Sequence, residues 1–389
     1  MYQIKGKIDS TNATKFEKEI MAALPTELDA SELEYISSAG LRVLLKLTKT
    51  VGEVTVVNVS TDVYEIFDVT GFTSILNVKK ALREISIEGK PVLGKGGNGT
   101  VYRLDDDTIV KVYRPDHPID AIERERAYAK AAFIAGIPSV IAYDMVKVGD
   151  CYGVVYEAMN SDTLSHAISN DPEHLDEYVA KYVALAKKLH TTPVNDENIT
   201  SLKDFLMSRA DSAFMHEYLE QNEIDALKEI ITSMADSDTL VHGDFHPGNI
   251  MLQDDELMLI DMGEVTRGVP IYDVATVFRD LISAPRNNSD IIEQSVGLKA
   301  DKCIEVGQKF LAMYSGITDP AQFEQYMKTL GLVYAFNVAM LITDVPNAAQ
   351  RAPLIVNNLI RPVMLPNKDT LKYILSKGWE NDSTQSDLL

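Results

Sequence analysis

Leu240-Val-His-Gly-Asp-Phe-His-Pro-Gly-Asn249, followed by Leu259-Ile-Asp-Met-Gly263, is the stretch on which the reading of this chain turns. An Asp and an Asn stand five positions apart on one loop, and a second Asp ends a strand. The apolar runs Leu240-Val241, Ile250-Met251-Leu252 and Leu257 to Ile260 read as short buried strands, with Asp254-Asp255 as the turn of a hairpin. That pattern places Asp244, Asn249 and Asp261 at strand ends, facing one cleft. Phosphoryl transfer from ATP uses three such groups. One carboxylate orients the attacking hydroxyl and accepts its proton, while the amide and the second carboxylate hold Mg²⁺ on the phosphates.

A second pattern stands upstream. Gly94-Lys-Gly-Gly-Asn-Gly-Thr-Val101 fits G-x-G-x-x-G-x-V throughout, and Thr108-Ile-Val-Lys-Val-Tyr113 sets Lys111 inside a β-branched strand. In a dinucleotide-binding fold the last glycine of such a pattern opens a helix. Here Thr100-Val-Tyr-Arg-Leu104 follows, which alternates, is β-rich and runs into the turn Asp105-Asp-Asp107. The segment therefore reads as a hairpin lying over phosphates. That is the arrangement of kinases, in which the backbone around Gly94, Gly96, Gly97 and Gly99 would cover the triphosphate, Val101 would cover one face of adenine, and Lys111 would pair with the phosphates.

With these motifs in order, residues from about 90 onward resemble the aminoglycoside phosphotransferase and choline kinase group of the protein-kinase-like superfamily. The carrying residues are the glycine loop, Lys111, His242-Gly-Asp-Phe-His-Pro-Gly-Asn249, Ile260-Asp-Met-Gly263 and Tyr272-Asp273. The resemblance implies a small β-rich lobe, a hinge and a larger helical lobe. It implies that Lys111 holds the α/β-phosphates and takes an acidic partner from the helix expected over Ala121 to Ala135. Glu125 is the first choice and Glu123 the second, since residues two apart do not share a helix face. Val154 to Met159 matches the hinge strand, whose backbone around Glu157 and Met159 would bond the adenine edge. Asp244 matches the catalytic base, and Asn249 and Asp261 match the metal ligands. Asp273 matches an aspartate that braces the catalytic loop. His242 and His246 read as loop-fixing hydrogen bonders, because a histidine base beside Asp244 would be redundant.

Departures narrow the class. Eukaryotic protein kinases carry His-Arg-Asp where this chain has His242-Gly-Asp244, so a phosphorylated activation loop has no arginine to meet in the catalytic loop. Met262 stands where those kinases have Phe. The run from Gly263 to Asp273 is too short for a long activation segment, and no Ala-Pro-Glu follows. The resemblance thus favours a small-molecule or special-purpose phosphotransferase.

The first ~90 residues form a separate unit of alternating short strands and helices, which is a small α/β pattern. Strands are expected over Tyr2 to Ile8, from Glu27, and over Val54 to Val59. Helices are expected over Thr14 to Leu24, Leu41 to Thr50 and Val63 to Val69, with Ser37 or Ser38 as N-cap of the second. Ile4-x-Gly6-x-Ile8-Asp9, Leu28-Asp-Ala-Ser31 and Tyr35-Ile-Ser-Ser-Ala-Gly-Leu41 resemble the STAS domain of bacterial anti-sigma factor antagonists. In those antagonists a serine at the start of this helix is phosphorylated. Ser38 falls at the matching position, although Ser37 replaces the usual preceding Asp. A phosphate at a helix N-terminus would be well tolerated.

Composition fits this division. With 389 residues, 46% of them hydrophobic, the chain suits two or three domains. A formal net charge of −21 argues against nucleic acid or anionic membranes as partners through bulk charge, and is compatible with a cationic substrate. Cys151 and Cys303 show no metal spacing and no disulfide framework, and Met1-Tyr-Gln-Ile-Lys5 is not a signal sequence, so a cytoplasmic setting is expected. The apolar run Leu330 to Thr343 is too short to span a bilayer and reads as a buried helix.

The expected architecture is an α/β STAS-like domain over 1–88, followed by an α+β bilobal protein-kinase-like domain. Its nucleotide-binding β lobe covers 89–159 and its helical lobe 160–380, with 381–389 as a frayed polar tail. In the helical lobe, a helix is expected over Tyr178 to His190 and two more between Met207 and Met234. The expected function is ATP- and Mg²⁺-dependent phosphoryl transfer to a hydroxyl of a small molecule. The STAS-like unit would regulate the enzyme or recruit a protein partner. Two other readings stay open: a protein serine kinase in a STAS partner switch, acting on Ser38 itself, and a nucleotide-sensing scaffold.

Overall fold

Tyr2–Ile8 (β1) and Glu27–Ile36 (β2) run in parallel, with Tyr2 opposite Leu28 and Ile8 opposite Ile36. Parallel neighbours need a crossover, and the helix Ala13–Ala23 (α1) supplies it. The helix Ser38–Val51 (α2) then leads to Thr55–Val59 (β3), and Thr61–Val69 (α3) leads to Asn77–Lys80 (β4). The sheet order is β1-β2-β3-β4, parallel throughout. Ile8, Leu28, Ile36, Leu44, Leu47, Val56 and Phe67 are buried between sheet and helices. In this computed structural model, residues 1–159, 162–287, 289–342 and 347–377 are described. The expected tail over 381–389 lies outside them.

Helix α2 starts three residues earlier than its apolar pattern indicates, because the Ser37 side chain accepts from the Gly40 amide. Ser37 is therefore the N-cap, and Ser38 is the first helical residue, exposed to solvent.

The strands that follow are Arg83–Glu84 (β5), Val92–Lys95 (β6), Gly99–Arg103 (β7) and Thr108–Tyr113 (β8). After the helix Ile119–Ile134 (α4) come Ala142–Val148 (β9) and Cys151–Glu157 (β10). The chain divides into two compact units: Met1–Gly89 with Met145–Gly153, and Lys90–Asp144 with Val154 onward. Residues 145–153 join the first unit because Arg83 and Glu84 pair in parallel with Val146 and Lys147, a long-range pairing that sequence order does not announce.

In the second unit the order is β10-β8-β7-β6. The glycine segment is a hairpin, as its alternation indicated: β6 and β7 are antiparallel, and the Gly96 amide donates to the Gly99 carbonyl at 2.9 Å. Its glycines have different duties. A Cβ at Gly99 would lie 2.2 Å from the Val112 carbonyl oxygen, so β7 can approach β8 only with hydrogen there. Gly94, Gly96 and Gly97 face open space.

The helical part packs Tyr182, Leu189, Phe310, Leu330 and Phe336 into one core. The helix expected from Tyr178 begins at Leu175. Between 202 and 233 there are three helices, Leu202–Ala210, Ala213–Tyr218 and Gln221–Ser233. The last two are the pair expected between Met207 and Met234; Ser212 caps the first of them, and Glu220 with Glu223 forms a capping box at the start of the second. The apolar run from Leu330 ends the helix Pro320–Met340, with Leu330, Val333 and Phe336 buried. Among the described residues no helix is long and apolar enough to cross a membrane.

Gly99→Ala should destabilise the protein by roughly 1–3 kcal/mol, the usual cost of forcing extra volume into a packed site, whereas Gly97→Ala should leave the melting temperature unchanged. Differential scanning calorimetry of the two variants checks this; equal melting temperatures would refute the close-approach role of Gly99.

Candidate active site

The loop after Leu240–Val241 is built on Asp273. This carboxylate is fully buried. Its Oδ2 accepts the His242 amide at 2.6 Å and its Oδ1 the Gly243 amide at 2.8 Å. The His190 ring lies 3.1 Å from Oδ2 and is itself held by the Tyr314 hydroxyl at 2.8 Å. A buried carboxylate needs such donors. Gly243 turns with φ +81°, and a Cβ there would lie 2.8 Å from the Glu264 carbonyl oxygen. The His242 ring then pins the next residue: Nε2 donates to the Ile260 carbonyl at 3.0 Å, and Nδ1 accepts the Asp244 amide at 3.4 Å.

Asp244 emerges from this brace 42% exposed at its side chain. Its Oδ2 accepts from Asn249 Nδ2 at 2.9 Å and faces His246 Nε2 at 3.4 Å, and its Oδ1 accepts from Arg279 Nη2 at 3.1 Å. Burial opposes its charge, but His246 and Arg279 outweigh burial and hold the carboxyl below the usual carboxylate range. It is therefore ionised. His246 also fixes the loop, since its Nδ1 accepts the Gly248 amide at 3.1 Å.

Arg279 is the residue that sequence reasoning missed. It follows the helix Ile271–Phe278 and grips Asp280 through Nε at 2.7 Å and Nη2 at 2.8 Å. The available signal was an Arg-Asp pair inside the apolar run Val274 to Ile282, since charges rarely enter a core unless paired.

Lys111 approaches from β8. Its ammonium lies 2.8 Å from Glu125 Oε1 and 3.0 Å from Asp261 Oδ1. The structure thus brings the first-choice glutamate to the lysine; Glu123 is half-buried on another side of α4. Burial disfavours the ammonium, yet Asp261 and Glu125 raise its pKa above the ordinary lysine value. Val101 lies directly across from Lys111 in the β7–β8 pairing, so the two share a sheet face. The Glu157 amide donates to the Ile141 carbonyl at 3.2 Å and the Ala158 amide to the Asp107 carbonyl at 2.7 Å. Met159 follows, half-buried.

The hairpin Ile250–Gln253/Glu256–Leu259 brings the two remaining residues together. It turns at Asp254 and Asp255, whose φ angles of 48° and 71° match a two-residue turn with positive φ at both positions. Ile250 pairs with Leu259, and the Ile260 amide donates to the Asn249 carbonyl at 3.0 Å, so Asn249 and Asp261 end at one edge. Asp261 adopts a left-handed conformation, φ 59°, ψ 61°. Asn249 spends its Nδ2 on the Asp244 carbonyl and carboxylate, at 3.0 and 2.9 Å, which leaves Oδ1 to meet a cation. One carboxylate and one amide oxygen are a fitting protein share for Mg²⁺, which keeps waters and phosphates as its other ligands. Among the described residues no cluster of three His, Cys, Asp or Glu forms a separate metal site.

Residues 88–300 match the model of the phosphotransferase enzyme family, and residues 1–85 match the STAS domain. The chain belongs to the phosphotransferase enzyme family and carries an N-terminal STAS domain. Its N-terminal part is similar to BtrV of Bordetella bronchiseptica, described as an anti-sigma factor antagonist, with 37% identity over 84 residues, 19% of this chain and 72% of that protein. Solved structures with a similar fold include an aminoglycoside-3'-phosphotransferase of type VIII. It is 20% identical with TM-score 0.46, over 64% of this chain and 93% of that one. Another is the ternary complex of APH(2")-IIa with streptomycin and ATP, 15% identical with TM-score 0.45, over 71% and 93%. A choline/ethanolamine kinase family protein from Mesorhizobium loti is 14% identical with TM-score 0.45, over 75% and 94%.

Asp273→Asn should cost about 1–3 kcal/mol, because its side-chain NH₂ would replace one of the two accepting oxygens and face the amide of either His242 or Gly243. Urea denaturation would register the loss, and an unchanged midpoint would remove Asp273 from its bracing role.

Proposed function

We propose that the protein transfers the γ-phosphoryl group of ATP to a hydroxyl of a small molecule, with Mg²⁺ as cofactor. The observation that carries this reading is that an ionised Asp244 bonds Asn249 while Lys111 pairs with Asp261, and one hairpin holds Asn249 and Asp261 at the same edge, four residues drawn from three separate segments. In this reading Asp244 orients the acceptor hydroxyl and takes its proton. Lys111, anchored by Glu125, grips the phosphates. Asn249 and Asp261 would hold Mg²⁺, which supplies charge neutralisation at the phosphates. The open side of Gly94, Gly96 and Gly97 leaves room for the triphosphate beneath the hairpin, and Val101 covers the adenine. Because the Glu157 and Ala158 amides are already engaged, the adenine edge is assigned to the Glu157 carbonyl and the Met159 amide.

A small acceptor is favoured by the stretch after Gly263. It passes through one turn and the short strand Thr266–Arg267 directly into the helix at Ile271, which leaves no long segment to dock a peptide. The STAS domain is assigned to regulation through a protein partner, in a cytoplasmic setting. One observation favours a second reading, a serine acceptor: Ser38 is exposed at the start of α2 while Ser37 does the capping.

The test combines a panel of amino alcohols, amino sugars and sugars with intact-mass measurement of the protein under Mg·ATP. Stimulated ATP consumption with no mass gain supports the small-molecule reading. One phosphate mapping to Ser38, absent in Asp244→Ala, would replace it with the serine reading. Asp244→Ala should lower kcat by at least about 10³-fold while sparing ATP binding, whereas Asp261→Ala should lose Mg·ATP affinity. Full turnover in Asp244→Ala would refute the base assignment.

A further inference from the structure

Glu125 is held by more than Lys111. Its carboxylate is 5% exposed. Its Oε2 accepts the Tyr113 hydroxyl at 2.9 Å, and its Oε1 accepts the Tyr156 hydroxyl at 3.3 Å beside the Lys111 ammonium at 2.8 Å. Tyr113 lies two residues beyond Lys111 on β8, so both side chains leave the same face. Tyr156 comes from β10, the strand beside β8. The two hydroxyls are 3.5 Å apart, and His117 stacks on the Tyr113 ring with centroids 5.1 Å apart. Both tyrosines are buried. Burial, and then the charge of Glu125, pushes both phenols far above their ordinary range. They remain donors at any working pH.

We infer that Tyr113 and Tyr156 are positioning residues that hold Glu125, and through it Lys111, in the phosphate-gripping arrangement before nucleotide arrives. The inference rests on the phosphotransferase reading above. In the structure Lys111 is shared by two carboxylates, Glu125 and Asp261. In that reading Asp261 turns to the cation when nucleotide enters, so Lys111 loses one anchor at the moment it must hold phosphate. Glu125 is the anchor that stays. The two phenols, from β8 and β10, tie this carboxylate to the sheet independently of Lys111. Three donors then occupy most of the roughly four lone-pair positions of the carboxylate. In protein kinases the corresponding lysine–glutamate pair is made and broken by positioning of the helix. Here the clamp sets that pair permanently, which suits an enzyme whose chain has no long activation segment.

The test is isothermal titration of the full-length protein with Mg²⁺ and the non-transferable analogue AMP-PNP, in wild type, Tyr113→Phe and Tyr156→Phe. Phenylalanine keeps the ring and its packing and removes only the hydroxyl. Each variant should bind on the order of 10-fold more weakly, the size expected for one lost hydrogen bond to a charged group, and in turnover KM for ATP should rise more than kcat falls. In a Lys111→Ala background, adding Tyr113→Phe should weaken binding no further, because the effect runs through Lys111. Wild-type affinity retained in both phenylalanine variants overturns the clamp while leaving the phosphotransferase reading in place. An equal loss with and without Lys111 also overturns the clamp, since that marks general damage. Should Tyr113→Phe not fold, the same cycle with Tyr156→Phe decides. A wild-type protein that binds no Mg·AMP-PNP overturns both the reading and the inference.

Discussion

Asp273 is the constraint on which the second unit depends. It is a carboxylate with no exposure to water, and it can stay there only because two backbone amides and a histidine ring meet it. Those amides belong to the loop that ends in Asp244. The amides that offset the cost of burying one charge thereby also fix that loop in place. Everything nearer the cleft inherits that order: the His242 ring between Ile260 and Asp244, the Asn249 amide on Asp244, and the hairpin that brings Asp261 back beside Asn249.

Two charge networks are built around the site. In one, Lys111 is matched by Glu125 and Asp261; in the other, Arg279 is matched by Asp244 and Asp280. The chain as a whole carries a net charge of −21, so a polyanionic nucleotide must bind against the overall field. Partly buried, paired cations at the site would meet that requirement locally, where a lower dielectric strengthens each interaction. The same pairing keeps Asp244 ionised.

Much of this was legible in the chain. Residues that touch through the backbone of one loop or one hairpin keep a fixed spacing, and fixed spacing is what a motif is. The glycine hairpin, the Asp254-Asp255 turn, the strand around Lys111 and the first-unit alternation of strand and helix are all of this local kind. Arg279 was not legible in the same way. It reaches Asp244 across 35 positions, and nothing in its own neighbourhood fixes that meeting. The exact helix bounds between 202 and 233 were obscured for another reason: a serine cap and a capping box, each worth about 1 kcal/mol, decide where one helix stops and the next begins.

The sequence by itself determined the two domains, the family and the residue types that can hold nucleotide and move a proton, because those follow from short-range pattern. Tertiary structure alone decided which of Glu123 and Glu125 meets Lys111, that Ser37 caps α2 and leaves Ser38 exposed, and that residues 145–153 join the first unit. It also decided that two tyrosines and an arginine complete the site. The physical reason is the same in each case. These are contacts between segments far apart in the chain, chosen by which side chains the packed strands and helices leave facing one another.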